Sequence, residues 1–129
     1  MRYICLVYLV EKEMDAMTKT QADTCTEESL AYDAALRKTG HLIAAHALQP
    51  VAAATTIRVR NGKLSTTDGP FAETKEQLAG FYLVDCKDLD EAIEWAAKIP
   101  GSEMGSVEVR PIIDYEARDA ARQAATASA

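Results

Sequence analysis

At 129 residues the chain is sized for one domain, long enough to enclose its own core and below the length at which chains split. Its 48% hydrophobic and 26% charged residues are ordinary for globular material. A formal net charge of −6 and a pI near 4.9 argue against nucleic acid, whose phosphates demand clustered Lys and Arg, and against an anionic membrane surface.

Residues 2–9 are apolar at nearly every position, which predicts a central strand buried on both faces. Glu11, Glu13 and Asp15 follow it where a signal peptide needs a small-residue cleavage site, and no run approaches the ~20 apolar residues of a membrane span. Residues 11–25 are polar with Met14 and Met17 interspersed, and read as a loop with a short helical turn. Thr26 as N-cap, Glu27 and Glu28 in the first turn, the stripe Leu30, Ala31, Ala34 and Ala35, and a stop at Gly40 predict a first helix over 26–39. Residues 42–48 alternate as a second strand with Leu42, Ala44, His46 and Leu48 on one face, closed by Pro50. His46 therefore sits in an apolar row, where a histidine is either a hydrogen-bonded core residue or a proton-transfer group.

Asn61-Gly62 between the alternating segments 55–60 and 63–67 is a type I′ hairpin signal, pairing Val59 with Leu64 and Ile57 with Thr66. Continued, that register puts Asp68 on the face of Ile57, Val59 and Leu64, with its carboxylate expected toward an apolar side instead of water. Asp68-Gly69 is a strong turn signal, and Pro70 presets the exit so that Phe71 can act as an apolar anchor. Glu73, Lys75 and Glu76 then place three charges within four residues, available to one another or to a ligand, although a solvated turn would look the same.

Residues 80–84 read as a further strand with both faces apolar. Asp88 and Glu91 resemble a capping box, and Leu89, Ala92, Ile93, Ala96 and Ile99 form the stripe of a second helix ended by Pro100-Gly101. Residues 106–113 close the sheet with Val107 and Val109 on one face and Glu108 and Arg110 on the other. Residues 1–113 make a single domain, and 114–129 an Ala-rich C-terminal helix or tail that frays toward Ala129.

The element order gives a split βαβ pattern, α+β in class, with an added hairpin. Two helices cover one face of such a sheet, so strands apolar on both faces predict a homodimer joined through the other face. Cys5, Cys25 and Cys86 are odd in number and lack CxxC spacing, which suits a cytoplasmic chain without a disulfide framework. With His41 and His46 as the only histidines, no HxH or HExxH spacing and no Gly-rich phosphate loop, neither a metal nor another cofactor is expected. Asp68 orienting His46 is the candidate acid–base pair. Phe71, Glu73, Lys75, Tyr82 and Arg110 are the candidate ligand-binding residues, with Arg110 either gripping a carboxylate or pairing with Glu108 or Glu73.

The run Asp68-Gly69-Pro70-Phe71-Ala72-Glu73-Thr74-Lys75-Glu76, followed by Gly80-Phe81-Tyr82 and Glu108-Val109-Arg110-Pro111, resembles the signature of the DGPF group of YciI-related (YCII) proteins over roughly residues 2–113. The resemblance implies a ferredoxin-like α+β fold pairing as a dimeric α/β barrel, in bacterial cytoplasmic proteins, several of them encoded beside extracytoplasmic-function sigma factors. The wider superfamily carries an active-site histidine on its first helix, and the comparable place here, by distance from Gly40, is near Ser29. Two readings follow: a non-catalytic binder of a small polar ligand or accessory factor tied to sigma-factor regulation, and a small enzyme performing elimination or isomerisation through Asp68 and His46. The first is preferred.

Overall fold

A computed structural model describes residues 1–128 as a mixed α+β chain with a four-stranded and a two-stranded antiparallel sheet, neither closed into a barrel. Strand β1 (Arg2–Leu9) lies inside the larger sheet, and its pleat splits its side chains. Tyr3, Cys5 and Val7 are buried while Ile4, Leu6 and Tyr8 are half-buried, so both faces are apolar as expected but the chain itself seals only one.

A short helix, α1 (Glu11–Asp15), is followed by the long helix α2 (Lys19–Lys38). This corrects the expected loop over 11–25 and helix start near Thr26. The start is set by a capping box: Thr18 Oγ1 accepts from the Gln21 amide at 3.1 Å and Gln21 Oε1 accepts from the Thr18 amide at 3.0 Å. Thr26 is interior, its hydroxyl turned back to donate to the Ala22 carbonyl at 3.1 Å. The stop is as expected. Gly40 has φ +80°, its amide donates to Arg37 O at 3.1 Å, and His41 N donates to Leu36 O at 3.1 Å, the bond pattern of a Schellman motif.

Strand β2 (Leu42–Ala47) pairs with β5 (Gln77–Asp85), and the register slips between Leu42 and Ala44. That bulge corrects the single face expected for this strand. Leu42 pairs with Val84 and packs on the core, whereas Ala44 and His46 pair with Leu83 and Phe81 on the opposite side. With β6 (Ser106–Pro111) on the far edge, the strand order is β2-β5-β1-β6. Helix α3 (Leu89–Ala97) is N-capped by Asp88, whose Oδ1 accepts from the Glu91 amide at 2.9 Å. Its stripe is only half used: Ala92, Ala96 and Ile99 are buried, while Leu89 and Ile93 stay on the flank. Glu91 does not close a capping box; it accepts from Lys87 N at 3.2 Å and meets His41 Nε2 at 3.0 Å, tying the end of α2 to the start of α3.

Tyr32 and Leu36 of α2 join Tyr3, Cys5, Val84 and the buried face of α3 in one core. On the other side of the sheet Ile4, Leu6, Phe81 and Leu83 carry no helix and remain half-buried. After the short helix α4 (Gly101–Met104), Gly105 passes so close to β1 that a Cβ there would lie 2.0 Å from Tyr8 O. Helix α5 (Tyr115–Ser128) is capped by Asp114, which accepts from Ala117 N at 2.9 Å, and is exposed through Ala127. The expected fraying at Ala129 lies outside the described residues.

Strands β3 (Thr55–Arg60) and β4 (Lys63–Asp68) form the separate hairpin, in the predicted register. Asn61 at φ 53° and Gly62 at φ 75° give the two left-handed residues a type I′ turn requires. No described helix is long and apolar enough to cross a membrane.

Candidate functional site

A cleft of about 450 Å³ lies between the N-terminal half of α2 and the β2–β5 edge of the sheet, with Met14 and Met17 also in its lining. Its origin is legible in the side chains. On α2, Ala22, Cys25, Thr26 and Ser29 are spaced as one helical face, the face that Tyr32 and Leu36 continue into the core. Tyr32 and Leu36 fill the space under the second half of the helix, but the small residues under the first half do not. Across from them Ala45, Ala47, Ala79 and Gly80 are equally small. Gly80 is held to that size, because a Cβ would lie 2.7 Å from His46 O. Two facing walls without bulk leave a void that close-packed cores otherwise avoid.

Asp33 stands at the inner end of this wall. Its Oδ1 is shut away from water and has no hydrogen-bond partner. The carboxylate lies beside the Tyr82 hydroxyl; burial first, and then this neighbouring charge and its hydrogen bond with the phenol, hold the Tyr82 phenol well above its ordinary pKa. Tyr82 packs edge-on against Tyr32 with ring centroids 5.2 Å apart. Tyr32 donates to Trp95 O at 2.7 Å, and burial raises its pKa as well. Asp33 is thus a half-buried charge set among aromatic rings.

Of the residues singled out in the sequence, His46 and Tyr82 line the cleft. His46 is exposed, lies 5.7 Å from the Phe81 ring centre to centre, and its ring has no hydrogen bond or ion pair among the described residues. The rest sit elsewhere. Asp68 does share a face with Ile57, Val59 and Leu64, but those side chains are 63, 57 and 66% exposed, so its carboxylate is in solvent and the expected apolar setting is absent in the single chain. It forms no hydrogen bond among the described residues, neither to His46 nor as a turn cap. Gly69 holds the bend instead, with φ +100°, its amide donating to Ala54 O at 2.7 Å and its carbonyl accepting from Thr56 Oγ1 at 2.8 Å. Phe71 is 80% exposed and anchors nothing within the chain.

Glu73 and Lys75 are exposed, and Glu76 accepts from Ser106 Oγ at 2.9 Å. Gln77 stitches the segment down, accepting from Glu11 N at 2.9 Å while the Glu11 carboxylate accepts from Val51 N at 2.9 Å. Arg110 pairs with Glu108 at 2.8 Å, the alternative to gripping a ligand. Asp33, Cys25 and Ser29 are the cleft residues that sequence reasoning missed or left without a role. The signal for them was the Thr18-to-Gln21 capping box, which places 22, 25, 26, 29 and 33 on one helix face. Ser29, where the resembling superfamily carries a histidine, is half-buried in the cleft wall.

Fold and site together define an α+β protein with a ligand-sized cleft between its long helix and its sheet. The chain matches the YCII-related domain over residues 1–116. It is also 39% identical over 118 residues to an uncharacterised protein of Rhizobium meliloti (strain 1021), covering 90% of this chain and 95% of that one. This chain belongs to the YCII-related family.

Proposed function

We propose that the chain is a non-catalytic small-molecule binder that works as a homodimer. The observation that carries this reading is the cleft of about 450 Å³, which falls within the size range of organic-ligand sites and is walled largely by apolar side chains. Acid–base catalysis needs a base oriented by a partner and within reach of its proton. No hydrogen bond among the described residues links His46, Cys25 and Asp33, or His46 and Asp68, into such a relay, and this favours binding over turnover. The resemblance supports a role as an accessory factor in extracytoplasmic-function sigma factor regulation.

The strand order β2-β5-β1-β6 supports a ferredoxin-like split βαβ arrangement. The uncovered face of Ile4, Leu6, Phe81 and Leu83 supports pairing into a dimeric α/β barrel. A two-stranded ribbon is marginal alone in water, so the apolar side of the hairpin also gains from a twin's cover.

A thermal-shift screen of a metabolite library tests the binding reading, because a ligand that binds only the folded state raises its apparent stability. Compounds that stabilise the wild type are expected to lose their effect in Ser29→Trp, which fills the cleft. A library that shifts nothing, or shifts that survive Ser29→Trp, contradicts the reading. Light scattering at micromolar concentration is expected to give a dimer; a monomer contradicts the assembly.

A further inference from the structure

The cleft has a chemical bias, and we infer that its ligand is an organic cation, a protonated amine on an apolar body, held by Asp33 with the ring of Tyr82 beside it. The inference rests on reading the cleft as a binding site and names the class of ligand that site takes.

The charge of the lining comes first. Asp33 is its one carboxylate, and neither Lys nor Arg joins it. A carboxylate or phosphate ligand would enter against a like charge with neither Lys nor Arg to receive it, on a chain whose net charge is −6. The lack of a cationic partner for Asp33 is the second consideration. Its Oδ1 is sealed from water without a hydrogen bond, and no cation of the chain pairs with it among the described residues. The Tyr82 hydroxyl gives this half-buried carboxylate a neutral donor, and an ammonium group in the cleft adds charge-assisted donors to the carboxylate. The walls supply the third consideration. Tyr82 presents a π system that attracts a cation, while Leu9, Leu30 and Ile99 accommodate an apolar body. Burial keeps the Tyr82 phenol protonated, so its oxygen stays a neutral hydrogen-bonding partner. A metal ion does not fit, since no group of three His, Cys, Asp or Glu gathers among the described residues.

The test uses three probes that share one apolar body: phenylbutylamine, phenylbutanol and phenylbutyrate. Calorimetry on the intact protein is expected to show the amine binding about tenfold tighter than either of the others, with amide shifts at Ala45 and Gly80 placing it in the cleft. Asp33→Asn is expected to bring the amine down to the level of the alcohol, with circular dichroism confirming the fold. Equal or tighter binding of the alcohol or the acid at those amides overturns the cation assignment and leaves the cleft reading standing. Amine affinity unchanged in a folded Asp33→Asn also overturns it. Binding of none of the three overturns both. If Asp33→Asn does not fold, the wild-type comparison still decides.

Discussion

The N-terminal half of α2 and the hairpin with its DGPF bend make opposite use of similar amounts of chain. The hairpin is dictated locally: Asn61-Gly62 fixes the turn, Gly69 the bend, and Ile57, Val59 and Leu64 end in solvent with nothing of their own chain to cover them. The α2 segment has weak local signals, yet it lies over the sheet and encloses the cleft, with Asp33 at its inner end. A strong turn motif thus marks where the chain bends, while space for a ligand arises where two distant walls both lack bulk.

The sharpest way to break this comparison is to mutate its buried side. Leu36→Ala empties a fully buried position beside the cleft and is expected to cost about 3–4 kcal/mol in denaturant unfolding. A loss of under about 1 kcal/mol would show that the α2 side of the core is loosely packed.

The next effect is alkaline. Burial, then the neighbouring Cys86, pushes the Cys5 thiol up to about 11 from an ordinary 9.0. The unfolded chain therefore releases this proton first, so stability is intact below pH 9.0 and falls as pH rises toward about 11. Urea midpoints against pH are expected to decline more steeply in wild type than in Cys5→Ala. Equal slopes would mean that the thiol is not sealed.

Gly69→Ala comes third. With φ +100° and nothing within 4 Å of the new Cβ, the cost is backbone strain alone, about 1–2 kcal/mol. An unchanged midpoint would show that the bend relaxes freely.

The smallest effects sharpen the comparison from the exposed side. Leu64→Ala is expected to change stability by no more than about 0.5 kcal/mol in dilute, monomeric protein and to cost more where the dimer forms. A loss independent of protein concentration would remove the hairpin from the proposed interface. Asp68→Asn, at an exposed carboxylate without a partner, is expected to leave both stability and ligand response as they are. Loss of binding there would return Asp68 to the site.

Legibility in the sequence followed the same division. Register in the hairpin could be read because a two-residue turn specifies it without reference to the rest of the chain. The start of α3 at Asp88 and the Gly40 stop were equally local. The start of α2 was misplaced because Thr26-Glu27-Glu28 looks like a helix N-terminus, while the reciprocal bonds of Thr18 and Gln21 outrank it. The β2 bulge was invisible because it is a property of pairing with β5, and it moved Ala44 and His46 to the other face. The cleft could not be seen at all from one segment, since it is the absence of side-chain volume shared by α2, β2 and β5.

The central claim, that the ligand site lies under α2 and not at the DGPF bend, is tested most directly by amide chemical-shift mapping with a compound that stabilises the protein. The account predicts perturbations concentrated at Ser29, Asp33, Ala45 and Gly80, with Asp68, Phe71 and Lys75 unmoved. Perturbations gathered at Asp68 to Lys75, with α2 silent, would contradict it.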